Sequence, residues 1–288
     1  MAKETKNFKV DFYVVTLDGN RKNTAMRDLL RSAGKGGYTP ALPFEEGDKE
    51  RYQIKSIQRI GSSHVYRGVF GRCRFGETPE QADVHGGEAD VELKPGHGLV
   101  EKNHFLFYSD RNLLVYQRNA SGSHYSRFQR YLNLGQQDGV VLLEPILTTD
   151  AYSRLLGGAD ARSIDISFQQ PKDPSLYEGL LLDDAIQMVK KVGGVNARIR
   201  IGVGRTNRKL VGRIKDAAVT LAKAGLATVA RVKLEDVEEP IDLIADRIVS
   251  TMKVRLMNNG RPDPEAIYEG LGSAVDEHQE HLQAFFGR

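Results

Sequence analysis

The densest chemical signal in the chain lies between residues 198 and 233. Arg198, Arg200, Arg205, Arg208, Lys209, Arg213, Lys215, Lys223, Arg231 and Lys233 fall there, against the single acid Asp216. Ten cations and one anion in 36 residues give this segment a net charge of +9, a density of fixed positive charge that attracts phosphate. Arg198 and Arg200 alternate with Ile199 and Ile201, and Arg231 and Lys233 alternate with Val232 and Leu234. Successive side chains of a strand point to opposite faces, so each cationic pair projects together, opposite an apolar pair. Arg205, Arg208 and Lys209 precede and enter a predicted helix, where free backbone N–H groups also favour anions.

The expected site is therefore Arg198, Arg200, Arg205, Arg208, Lys209, Arg213, Arg231 and Lys233, and the expected partner is the phosphate backbone of DNA. Binding of this kind weakens steeply with salt, because each neutralised phosphate releases a counterion. Neither a zinc-finger spacing nor a ribonucleoprotein-type aromatic motif is present to read bases, so sequence-nonspecific contact is expected. A second reading stays open. Residues 234–288 carry twelve acids against five Lys and Arg, and the basic segment can pair with this acidic one, within a chain or across a dimer.

Other motifs give less. Gly202-Val203-Gly204 before Arg205 joins a strand to a helix but lacks the spacing and the Gly-Lys-Ser/Thr ending of a phosphate-hydrolysing loop. His278 and His281, near Glu277 and Glu280, form one i, i+3 pair, too few ligands for a metal. His64, His85, His97, His104 and His124 show no ligand spacing. Asp165 shares its predicted strand face with Ser163 and Ser167, and no Glu-x-Lys pair follows to complete a metal-dependent nuclease. Cys73 lies between Arg72 and Arg74 with no base partner in sequence. Arg67, Arg72 and Arg74, interleaved with Tyr66, Phe70 and Phe75, form a second basic-aromatic candidate, although aromatics at strand spacing commonly serve a core. No catalytic residue, metal or cofactor is expected, and the chain reads as non-enzymatic.

The elements that must position these residues follow from periodicity and breakers. Val10–Leu17 reads as a strand, Thr24–Ser32 as a short helix, Arg51–Ile60 as a strand whose Ile57 and Ile60 drift out of phase, and His64–Phe75 as a strand interrupted by glycine. Residues 78–97 read as a loop. Strands at Phe105–Tyr108 and Leu113–Tyr116 form a hairpin through Ser109-Asp110-Arg111-Asn112. A helix over Ser123–Leu134 and a buried strand over Val140–Leu147 follow, and Gly157-Gly158 offers a boundary. Beyond it lie a strand (Arg162–Phe168), a helix (Leu181–Val192) with Asp183-Asp184 read as capping and helix-dipole charge, a strand (Ala197–Val203), a helix (Asn207–Ala224) and a strand (Ala227–Leu234). The chain ends with an ambiguous stretch from Pro240 that favours strand over Ile248–Leu256, and a helix over Pro264–Phe286. The expectation is α+β: a mixed-sheet domain over 1–157 and a ferredoxin-like split α/β domain over 158–288.

Bulk properties agree with a globular chain. It has 288 residues, 40% hydrophobic and 27% charged, with a net charge of only +3. No apolar run reaches the ~18 residues that span a membrane. The polar start, Met1–Lys9, argues against a secretory leader. One cysteine closes no internal disulfide, which fits the reducing cytoplasm.

The arrangement resembles the RexA-like phage-exclusion proteins. The likeness is carried by Phe12-Tyr13 in the first strand, Phe105-Leu106-Phe107 in a central one, Glu144-Pro145-Ile146-Leu147 in the next, and alternating strands with a basic helix leading to Arg231-Val232-Lys233. It spans most of the chain on short motifs, and departs in the glycine-rich 78–98 segment and the Gly202–Arg208 turn. The resemblance implies a two-domain, dimeric DNA-binding sensor that activates a membrane effector partner in abortive infection, with Arg231-Val232-Lys233 as a DNA-contacting element and no direct membrane insertion of its own.

Overall fold

The computed structural model describes residues 4–17, 49–75, 80–82, 85–133, 140–156, 160–169, 183–204, 209–210, 218–219, 227–235 and 239–287. The chain divides into two compact units. The first comprises Met1–Asp11, Val15–Val141 and Ser250–Glu277, and the second Phe12–Val14, Leu142–Val249 and His278–Arg288. The division differs from a single cut after residue 157, and Gly157-Gly158 itself lies outside the described residues. Strand pairing joins segments far apart in sequence, so a glycine pair marks a place where the chain turns without fixing where a compact unit ends. The predicted helix at Thr24–Ser32 also lies outside the described residues.

In the first unit, β1 (Thr5–Leu17), β2 (Glu50–Arg59), β3 (Val65–Arg74), β6 (Leu99–Tyr108), β7 (Leu113–Arg118) and β13 (Val249–Arg255) lie in the order β13-β1-β7-β6-β3-β2. The pairs β2/β3, β3/β6 and β6/β7 are antiparallel. The drift seen at Ile57 and Ile60 has a local cause: Ile54 pairs with Phe70 and Ser56 with Val69, so Lys55 is an extra residue in a β-bulge that shifts the alternation. The β6–β7 turn places Asn112 at φ 53°, a left-handed conformation that asparagine tolerates. The 78–97 segment, expected as loop, carries a small antiparallel hairpin of β4 (Glu80–Ala82) and β5 (Glu88–Asp90).

One helix packs on each face of this sheet. Helix α1 (Tyr125–Leu132) brings Phe128 against Phe70, Phe105 and Tyr116, with ring centroids 4.7, 5.1 and 5.7 Å away. Phe105 lies across Gly68, its partner on β3, where an added Cβ would run into the ring. Helix α4 (Pro264–Glu277) takes proline in its first turn, where the missing N–H costs nothing, and buries Ile267, Leu271, Ala274 and Val275. From α4, Tyr268 donates to the Gly68 carbonyl at 3.2 Å and meets His104 edge to face. The single helix expected over 264–286 is two, because His278 leaves helical geometry (φ −105°, ψ 17°) before α5 (Gln279–Phe286).

The second unit contains β8 (Val141–Pro145), α2 (Thr149–Leu156), β9 (Ala161–Gln169), α3 (Asp183–Lys191), β10 (Asn196–Gly202), β11 (Ala227–Leu234), β12 (Ile241–Asp242) and α5. Strand β8 pairs β1. The remaining strands form a four-stranded sheet ordered β10-β9-β11-β12. Both β10 and β11 run antiparallel to β9, so they are parallel to each other with β9 between them. One face is apolar: Ile164, Ile166, Phe168, Ala230, Val232 and Leu234 are buried with Ala151, Leu155, Ala218, Ile241 and Leu243. Most of the helix predicted over Asn207–Ala224 lies outside the described residues, although Ala218 and Val219 are helical. Antiparallel sheets with helices segregated around them make the protein α+β, as expected. Among the described residues no helix is long and apolar enough to cross a membrane.

Two predictions follow from the first unit. Phe128 is fully buried against three rings, so Phe128→Ala should lower unfolding free energy by about 3–5 kcal/mol, read from urea denaturation. His104 is also buried, and Gln117 Oε1 accepts from its backbone N–H at 3.0 Å and its Nδ1–H at 2.8 Å. Burial pushes its imidazole below the ordinary value despite the Gln117 bond, and Lys102 pushes the same way. A base with a depressed folded pKa contributes no penalty above about pH 6.5 and loses stability as pH falls below it, because only the unfolded chain takes the proton. Wild type should therefore lose more stability between pH 7.5 and 5.5 than His104→Leu, and equal slopes would refute the assignment.

Candidate nucleic-acid interface

Four of the five described residues of the expected cationic site, Arg198, Arg200, Arg231 and Lys233, lie on the face of the β10-β9-β11-β12 sheet opposite its apolar layer. Burial alternates along β10, with Ile199 and Ile201 half-buried and Arg198 and Arg200 exposed. The same alternation buries Val232 and Leu234 in β11 and exposes Arg231 and Lys233. Strand β9 buries Ile164, Ile166 and Phe168 and turns Ser163, Asp165 and Ser167 the other way. Strands β10 and β11 are not neighbours. They flank β9, and the register sets Arg198 opposite Ser167, Arg200 opposite Asp165, Arg231 also opposite Asp165, and Lys233 opposite Ser163. One rung therefore reads Arg200–Asp165–Arg231 across three strands, with neighbouring strands about 4.8 Å apart.

The cations are not equivalent. Arg198 makes a two-pronged contact with Asp165, Nε to Oδ1 at 2.8 Å and Nη2 to Oδ2 at 2.5 Å. Arg231 Nε donates to Asp242 Oδ2 at 2.8 Å, and Asp242 also accepts from the Ile244 and Ala245 amides. Lys209 lies 2.6 Å from Asp160 and 3.5 Å from Glu235. Among the described residues, Arg200 and Lys233 have no carboxylate within ion-pair distance. Arg205, Arg208 and Arg213 lie outside the described residues.

The electrostatics follow the geometry. The Arg198 hydrogen bond, outweighing partial burial, holds the Asp165 carboxyl below its usual value, and the charges of Arg198, Arg200 and Arg231 push the same way. Burial would raise Asp242, but Arg231 and the two amides outweigh it and leave it lowered. Among the described residues, two carboxylates, Asp165 and Asp242, thus sit among four cations on this face. Sequence counting by segment missed both acids as partners. Asp165 was visible at the right alternation, but its proximity to the arginines depends on strand order. Asp242 arrives on a two-residue strand too short to announce itself.

The pairing between basic and acidic segments is in part real, since Arg231–Asp242 and Lys209–Glu235 join them within one chain. The second basic-aromatic candidate in the first unit resolves into structure. Arg72 pairs with Glu50, Arg67 grips Glu265 at 2.8 and 3.0 Å, and Arg74 lies 3.6 Å from Glu101. Tyr66 and Phe70 belong to the core, and Cys73 is buried. Among the described residues, no group of three or more His, Cys, Asp or Glu side chains is placed to hold a metal. No curated protein matches the chain. A family model matches residues 3–281, nearly the whole length, and the chain belongs to that family of unknown function, DUF6731.

Proposed function

We propose that the protein is a non-enzymatic, sequence-nonspecific DNA-binding protein that holds the phosphate backbone on the polar face of its four-stranded sheet. One observation carries this reading: Arg198, Arg200, Arg231 and Lys233 project from the same face of β10-β9-β11, and two of them have no carboxylate partner among the described residues. Guanidinium forks match phosphate oxygens in pairs, and an open sheet face accommodates a strand of phosphates without a cavity. Arg205, Arg208 and Arg213 belong to the same reading by sequence and lie outside the described residues, while Lys209, bound to two acids, contributes less.

The resemblance to RexA-like phage-exclusion proteins supports a narrower version, in which a cytoplasmic dimer senses DNA and signals to a membrane effector. The same version treats the second unit as a ferredoxin-like variant, supported by β10 and β11 running parallel on either side of β9. The ion pairs between basic and acidic segments favour a second reading, an assembly subunit whose charged segments mate between copies.

Fluorescence anisotropy with a labelled duplex, titrated at several salt concentrations, separates the two. The first reading expects micromolar or tighter binding at low salt. It also expects the salt slope of Arg200→Ala combined with Lys233→Ala to fall by about 1.8, the loss of two phosphate contacts. Unchanged affinity in that double variant, with a cooperative thermal transition retained, would overturn the site. Salt-sensitive oligomers in light scattering with no DNA binding would favour assembly.

A further inference from the structure

Asp165 stands at the centre of the cationic face, where a bare phosphate-binding surface has no use for an acid. Its neighbours across both adjacent strands are arginines, and its two oxygens are held by a third, Arg198. The fork geometry by which a guanidinium takes a carboxylate is the one by which it takes a phosphate. We infer that Asp165 is a built-in counter-ligand: it occupies Arg198 in the free protein and must give that arginine up to an arriving phosphate. The inference rests on the DNA-binding reading above and deepens it by naming what limits affinity at that face.

The local arrangement favours exchange over a permanent tie. Arg198 is largely exposed, with 61% of its side-chain surface accessible, whereas Asp165 keeps 16%. Exposed ion pairs contribute little net stability, so separating this one costs little. The β strand fixes Asp165 in place, while Arg198 has a long side chain that swings from one anion to another. Arg200 and Lys233, on opposite sides of β9, offer an incoming ligand its first contacts.

A consequence for ligand class follows. An isolated phosphate that replaces Asp165 at Arg198 gains one contact and loses another, while the carboxylate it displaces remains nearby and repels it. A chain of phosphates that reaches Arg200 and Lys233 at the same time makes the exchange intramolecular, and linked contacts reinforce each other. The face should therefore prefer a polyanionic strand over inorganic phosphate or a mononucleotide.

The test uses full-length protein and a labelled 30-base-pair duplex, with wild type, Asp165→Asn, Arg198→Ala and the double variant compared over a salt series. Thermal melts confirm that each is folded. Asp165→Asn should bind about fivefold more tightly than wild type at low salt, and its salt slope should steepen by about 0.9, one further phosphate contact. In the Arg198→Ala background most of that gain should vanish, a coupling that a double-mutant cycle isolates. If Asp165→Asn binds no more tightly than a wild type that does bind, the counter-ligand is refuted and the DNA-binding reading survives. An undiminished gain in the Arg198→Ala background also refutes it, since simple repulsion by Asp165 would then be the whole effect. If neither folded wild type nor folded Asp165→Asn binds, both readings fall together. Inorganic phosphate competing as well as an oligonucleotide at equal phosphate concentration would overturn the preference for a strand.

Discussion

The charged layout of the second unit depends on the burial of β9. Ile164, Ile166 and Phe168 are each almost fully buried, and each contributes roughly 1.5–3 kcal/mol by leaving water. A slip of one residue would send all three into solvent and drive Asp165 into the apolar layer, so the register is fixed by the inner face. The outer face inherits its order. Asp165 must point outward, and the antiparallel pairing on both sides then sets Arg200 and Arg231 beside it. No attraction between these charges is needed to assemble the rung. Hydrophobic burial positions the polar groups, and their electrostatics are a consequence.

The first unit uses the same alternation to a different end. Its sheet is covered on both faces, by Phe128 from α1 and by Tyr268 from α4, and its arginines are absorbed into the structure. Arg67 lies over the Tyr268 ring at 5.2 Å while gripping Glu265, and Arg118 holds the buried Asp11. Cations there serve to seat a helix or to neutralise an acid that folding has taken out of water. Among the described residues of the four-stranded sheet in the second unit, cations outnumber the acids that share their face. An equal density of arginine therefore has different meanings in the two units, and counting along the sequence cannot separate them.

What was legible in the sequence was local. The alternation of Arg198 and Arg200 with isoleucines, and of Arg231 and Lys233 with Val232 and Leu234, is written in consecutive residues, and the faces follow directly. The out-of-phase isoleucines of β2 were visible as an anomaly, but the bulge at Lys55 that causes it depends on the register with β3. The position of β9 between the two basic strands depends on non-local pairing, as does the return of Ser250–Glu277 to the first unit. Helix α2 carries Ala151 and Leu155 inward within only eight residues, a run too short for periodicity to separate from a turn. The break at His278 has no glycine or proline to signal it.

Two fork-shaped ion pairs in this protein have similar geometry and different physics. Arg118 meets Asp11 with both nitrogens, and Asp11 is 6% exposed. Arg118 itself keeps 52% of its side-chain surface in solvent, so only the acid is withdrawn from water, and removing the arginine takes a charge partner from a carboxylate that water scarcely reaches. Arg198 meets Asp165 in the same two-pronged way and is exposed to a similar degree, but Asp165 has two more arginines in its field. Losing Arg198 leaves that carboxylate still compensated. Both arginines are exposed, so the difference lies with the acid: Asp11 is withdrawn further from water than Asp165. Where the acid has further cationic neighbours, as Asp165 has, the pair opens at little cost to the fold, and the freed guanidinium stands on a face already biased toward anions.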